Sequence, residues 1–253
     1  MLNPFDHPIL VLLFSLFGFW AAAWLGAKVR AWRGSSEEKS GEDFSLILGG
    51  TLTLLGLIIG FTFSMAVGRY DQRKNYEEQE ANAIGTEYVR ADLLPVADGA
   101  KVRGLLRSYL DQRILYYVTR DAQQLRQVDK KTARLQDEMW SAASTPALAQ
   151  PTCVAALAVS GMNDVLNTQG YTQAAWWNRI PVGAWALMIA IAIFSNLLVG
   201  YSAQKRSALF LLILPVALSI TLFLIADIDS PRFGAINVRP QNLESTAESL
   251  GPR

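Results

Sequence analysis

The stretch FSLILGGTLTLLGLIIGFTFSMAVGRYDQRKNYEEQEANAIGTEYVRADLLP, residues 44–95, decides the fold. Up to Gly68 it contains no Lys, Arg, Asp or Glu. That is enough helix to cross a hydrocarbon core about 30 Å thick, which takes about 20 apolar residues. From Arg69 onward it is charged at helical spacing, and no Pro interrupts it before Pro95. The simplest reading is one helix over residues 44–93, roughly 75 Å long at 1.5 Å per residue. Such a helix crosses the membrane and continues beyond it as a stalk.

Three further stretches, 8–27, 181–203 and 208–226, also lack all four charged residue types and reach spanning length. The expected fold is therefore all-α. It is a four-span helical membrane protein with an extended second transmembrane helix and a helical extramembrane part over residues 69–179. The whole chain, 1–253, reads as one domain. The first span does not read as a signal peptide, because its flank, residues 1–7, has no Lys or Arg and carries Asp6. A formal net charge of +1 gives no bulk field toward nucleic acid. The lone Cys153 excludes an intrachain disulfide and reads as a small buried hydrophobe.

The middle segment reads as helices. Over 101–120, Val102, Leu105, Leu106, Tyr109, Leu110, Ile114 and Tyr117 form one stripe. Over 123–140, Leu125, Val128, Leu135, Met139 and Trp140 alternate with Lys and Arg. Residues 144–146 and 150–151 break the pattern, and 154–179 resumes it, with Trp176 and Trp177 at the level of an interfacial aromatic belt.

An even number of spans puts both termini and the middle segment on one side. The hairpin loops carry Lys28, Arg30, Arg33, Lys39, Lys205 and Arg206. The other side carries Arg69, Arg73, Lys74, Arg179, Arg232 and Arg239, so the totals tie. The first span has no positive charge before it and three just after it. That places the hairpin loops in the cytoplasm of a bacterial inner membrane, with the middle segment and termini outside.

No P-loop, GxSxG, HExxH or paired-Cys motif is present, so neither an enzyme nor a cofactor is expected. The second span carries Gly56 and Gly60 as a small-xxx-small pair, which lets helices approach closely in lipid. Another face, Thr51, Leu55, Ile58, Thr62, Met65 and Arg69, mixes apolar and hydroxyl groups as a narrow pore lining would. Plain helix packing, with Thr bonded back to its own helix, is the competing reading. Glu77, Glu80 and Glu87 share one face of the stalk and could form an acidic pore mouth, or a solvated face with ordinary ion pairs. Asp227 and Asp229 mark the membrane exit of the fourth span rather than a metal site.

The block Glu80-Ala81-Asn82-Ala83-Ile84-Gly85, followed by Tyr88, Arg90 and Ala91 to Pro95, resembles the signature of the bestrophin-like domain family. Further landmarks agree in order: Arg107-Ser108-Tyr109 with Arg113, Met162-Asn163-Asp164, Asn178-Arg179-Ile180-Pro181, and residues 227–234. Ser230 departs from that pattern, where Arg is expected before the Pro. The resemblance implies a likeness to bestrophins, oligomeric anion channels whose second span lines the pore and continues as a neck. It also implies a cytoplasmic extramembrane part, opposite to the charge reading. The expected function is an ion channel, anion rather than cation, in a homo-oligomer of about four to five copies around an axial pore. Its partners are the lipid bilayer and inorganic ions. A non-conducting oligomeric scaffold or sensor is the alternative.

Overall fold

The computed structural model describes residues 7–33, 41–202 and 210–251. All regular structure among them is helical. Eight α-helices follow in order: α1 (Pro8–Arg33), α2 (Gly41–Arg90), α3 (Val96–Val118), α4 (Ala122–Ala149), α5 (Cys153–Trp177), α6 (Val182–Ser202), α7 (Phe210–Asp229) and α8 (Gln241–Ser249), with a 3-10 turn at Ala91–Leu93. Four helical stretches are long and apolar enough to cross a bilayer, matching the four expected spans. Lys39, Lys205 and Arg206 of the hairpin loops lie outside the described residues.

The chain divides into two compact units, neither contiguous in sequence. One comprises residues 1–69 and 179–237, the other 70–178 and 238–253. The sequence reads as one domain, whereas the chain falls into two units, and α2 contributes to both.

In the first unit α1 packs on α6 and α7. Lipid tails are as apolar as Leu, so close backbone approach must replace the hydrophobic drive between spanning helices. Gly26 and Gly200 provide it. A Cβ on Gly26 would overlap the Leu197 carbonyl, and one on Gly200 the Ala23 carbonyl. Arg30 Nη1 then donates to the Tyr201 carbonyl at 2.9 Å, satisfying an orphan acceptor at the end of α6. Asn196 and Ser195, both buried, donate back to Ala192 and Ile191 carbonyls of their own helix. The exit of α7 is held by its carboxylates. Asp227 accepts from the backbone N–H groups of Ala235 and Ile236, each at 2.8 Å. Asp229 accepts from Arg179 Nε at 2.9 Å and from the Ile180 N–H.

The second unit is built on one apolar core in which Val102, Leu106, Tyr109, Leu110, Met139, Met162 and Val165 are fully or almost fully buried. The Asp121 side chain caps α4 by accepting from the Gln123 and Gln124 N–H groups, and Thr152 caps α5 through Ala155. Three sequence expectations change here. Helix α4 runs through Pro146 to Ala149, because a Pro this close to a helix end removes little of the hydrogen-bond ladder. Trp176 is a core residue against Tyr116 and Tyr117, not part of an interfacial belt, while Trp177 is exposed. Cys153 opens α5 and is exposed rather than buried. The C-terminal helix α8, which carries no long apolar stripe, was not expected.

Candidate functional site: the second helix

Helix α2 turns one face inward along almost its whole length. Leu55, Thr62, Ala66, Arg73, Glu77, Glu80, Ala81, Ile84 and Glu87 are all buried, at steps of one, three, four or seven residues. That is the periodicity of a single helical stripe. Up to Ala66 the stripe is apolar or hydroxyl. From Arg73 onward Ala81 and Ile84 are interspersed with charged groups, and ionised groups are seldom fully buried unless paired.

Each charge but one has a partner, and two of the partners are helix ends. Arg73 donates to the carbonyls of Ala175 (3.3 Å) and Asn178 (3.5 Å), where α5 ends and its dipole is negative. Glu77 accepts from the N–H groups of Asn242 and Leu243, both at 2.9 Å, and from Asn242 Nδ2 at 2.6 Å. This is the N-terminus of α8, whose preceding residue, Pro240, makes no side-chain cap. The Glu77 carboxylate serves as the cap in its place. Burial still pushes its pKa above the usual carboxylate range, the bonds from Leu243 and Asn242 working against it. Glu80 is paired with Arg113 and accepts from Thr172 Oγ1 at 3.2 Å and Tyr117 Oη at 3.4 Å. Arg113 also lies over the Tyr116 ring, 4.4 Å from its centroid.

Glu87 is the exception. It is fully buried, and among the described residues neither carboxylate oxygen has a hydrogen-bond partner. Burial pushes its pKa up to about 8, Arg90 lowering it and Asp164 raising it.

These placements correct the acidic pore mouth. Glu77, Glu80 and Glu87 do share a face, but it is the inward face of the helical unit. A lumen between copies is lined by groups that a single copy leaves exposed, and these three are not.

The expected pore face is also divided. Leu55 and Thr62 are buried within the chain, so they cannot line a channel between copies. Thr62 and Thr51 each donate to the carbonyl four residues back, at 2.8 and 2.7 Å, as plain packing would have it. Arg69 sits 3.7 Å from Asp229 and is largely buried, so its charge is partly offset. Thr51 and Ile58 are partly buried, and Met65 is exposed.

Gly56 and Gly60 lie on the opposite side of α2. Among the described residues no atom comes within 4 Å of a Cβ built on either, nor on Gly49, Gly50 or Gly68. Only 11% of the most apolar stretch of α2 is buried, against 44% in α7, so most of its circumference is left to lipid or to other copies. Sequence reasoning had the small face but missed Arg73, Glu77 and Glu80 as helix-end and core partners. Their spacing on one stripe with Leu55 and Ala66 was the available signal.

An all-α membrane chain with four spanning helices and a second helix extended into a helical unit is the class this architecture defines. The chain belongs to the Bestrophin-like domain family, which matches residues 17–243. Its fold is similar to crystal structures of a bacterial bestrophin homologue from Klebsiella pneumoniae. One point variant of that protein superposes with a TM-score of 0.68 at 13% identity, covering 94% of this chain and 97% of the other. A second structure of the homologue gives 0.64 at 17% identity, covering 96% and 95%. No match was found among curated proteins.

The Glu80–Arg113 pair is testable directly. Arg113→Met leaves a buried carboxylate unpaired and is expected to cost about 3–5 kcal/mol. The double variant Glu80→Gln with Arg113→Met removes both charges and is expected to recover most of that loss. Thermal unfolding of the detergent-purified proteins measures both. Equal losses in the single and double variants would contradict the pairing.

Proposed function

We propose that the chain is one subunit of a homo-oligomeric ion channel of about four to five copies, with an axial pore along its second transmembrane helix. The observation that carries this is the open small-residue side of α2. Gly56 and Gly60 meet nothing among the described residues, and a face built for close approach in lipid calls for another helix. Family membership supports the reading through the likeness to bestrophins. In the Ile58–Met65 stretch, the partly exposed Ile58, exposed Met65 and exposed Phe61 form an apolar stripe beside the inward face. We assign the constriction to these three, which would gate by dewetting. An anion preference draws on Arg69, Arg73 and Lys74. With Arg69 against Asp229 and Arg73 turned inward, Lys74 is the exposed cation of the three.

The scaffold or sensor reading draws on one specific observation. Thr51, Thr53 and Thr62 all donate their hydroxyls to carbonyls of α2 itself, so none of these three hydroxyl protons is left over for an anion.

We place the protein in the bacterial inner membrane. The tied Lys and Arg totals leave its orientation to the first span alone, and long segments translocate largely regardless of charge. With the family established, we favour the orientation that the resemblance implies, with the middle segment and termini in the cytoplasm, over the one read from charge.

Gly56→Leu or Gly60→Leu should split the oligomer without unfolding the subunit, because each side chain enters open space within one copy. Mass measurement in mild detergent reads the outcome, and a monomer for the unmutated protein would end the oligomer reading.

In planar bilayers, Met65→Ala and Phe61→Ala should raise unitary conductance, and Lys74→Glu should move the reversal potential toward cation selectivity. Silence of the unmutated and Ala-substituted proteins across voltages and salts would leave the scaffold reading.

Cys153 is exposed in the middle segment and reports sidedness as it stands. With Ala100→Cys in a Cys153→Ser background as a second probe, labelling by an impermeant thiol reagent is expected only after lysis. Labelling in intact cells would restore the orientation read from charge.

A further inference from the structure

Three carboxylates share the inward face of α2, and two of them are saturated with donors. Glu77 has three and Glu80 is surrounded by Arg113, Tyr117 and Thr172. Glu87 has none, although its side chain is completely buried. It lies against Gly161 of α5, where a Cβ would overlap both Glu87 Oε2 and the Arg90 guanidinium. The glycine is thus what makes room for the carboxyl group in the contact. The charged groups acting on Glu87 are Arg90 from its own helix and Asp164 from α5. Arg90 makes no hydrogen bond to it and leans toward Asp164, 4.0 Å away and itself exposed. Asp92 of the following turn is taken up by Arg103.

An ionised carboxylate without a donor is among the most expensive groups to bury, whereas a neutral carboxylic acid is tolerated. We propose that Glu87 is a proton-binding site that makes the packing of α5 against α2 pH-sensitive. As a neutral acid it sits in the contact beside Gly161. Ionised, it is driven out toward Arg90 and loosens that contact. Proton uptake and release at Oε1 or Oε2 from solvent complete the step, and no other reactant is needed. Burial, with Arg90 opposing it and Asp164 adding to it, raises the pKa to about 8, which supports the geometry. The sign follows from that direction. The folded state holds this proton where the unfolded chain, near pH 4.5, has lost it, so Glu87 favours folding less and less as pH rises from the unfolded pKa toward the folded one. Glu77 has the same sign but is common to both proteins compared below, so it cancels in their difference.

The site does not depend on conduction, and neither does its test. Glu87→Gln keeps the shape and removes the titration. The Tm of the variant minus that of the unmutated protein should be small near pH 5 and grow by about 2–4 °C or more toward pH 9. Corrected for the base-catalysed rise of intrinsic exchange, the protection of the α5 amides around Gly161 should fall at the higher pH in the unmutated protein and not in the variant. A Tm difference and amide protection factors that do not change with pH would overturn the proposal. Should Glu87→Gln not fold, Arg90→Gln serves. It removes the charge that lowers the Glu87 pKa, so the midpoint of the pH-dependent loosening should move to higher pH. An unmoved midpoint would overturn the proposal equally.

Discussion

Everything in this protein hangs on the need of one 50-residue helix, α2, to present a buried face in two different settings. In the apolar half, a buried face needs only Leu55, Thr62 and Ala66, and hydroxyls are satisfied by the helix's own carbonyls. In the charged half there is no such apolar run to bury. The face is kept, beside Ala81 and Ile84, by charges that find fixed partners, two of them the ends of other helices. Arg73 meets the C-terminus of α5 and Glu77 the N-terminus of α8, so the orphan groups of those helices and the charges of α2 satisfy one another. A buried charge stabilises only if every bond it needs is made, and this accounts for the density of partners around Glu80. It also makes Glu87, with no partner at all, the point where the arrangement is most sensitive to a proton.

The same constraint divides the surface of α2 for function. The inward stripe is committed to the chain itself, so any lumen must use what remains. What remains is a small-residue side with nothing against it and an apolar flank through Ile58, Phe61 and Met65. That division reconciles a membrane helix with little burial with a distal half that is well anchored.

Much of the fold was legible because spanning segments announce themselves by length and lack of charge. Helix α2 was read over 44–93 and occupies Gly41–Arg90 followed by the 3-10 turn, since nothing between Gly68 and Pro95 can stop a helix. Val102, Leu106, Tyr109 and Leu110 were read as part of one stripe at helical spacing, and these four are buried. The site was harder for a physical reason. A face mixing Thr with Leu and Ile looks the same whether it meets a lumen or a neighbouring helix of the same chain, so Leu55 and Thr62 were assigned outward. The carboxylates were misread because their partners are remote in sequence: Arg113 is 33 residues from Glu80, Thr172 is 92, and Asn242 is 165 from Glu77. No local spacing encodes such pairs. Pro146 misled in the opposite direction, since a strong local breaker was overridden close to a helix end where it costs little.

The most direct measurement is a structure of the assembled oligomer in nanodiscs, with the radius along its symmetry axis. The account predicts that the second helices surround the axis, that Gly56 and Gly60 lie against a neighbouring copy, and that the narrowest apolar point falls between Ile58 and Met65. An assembly in which those glycines face lipid and another helix occupies the axis would contradict it.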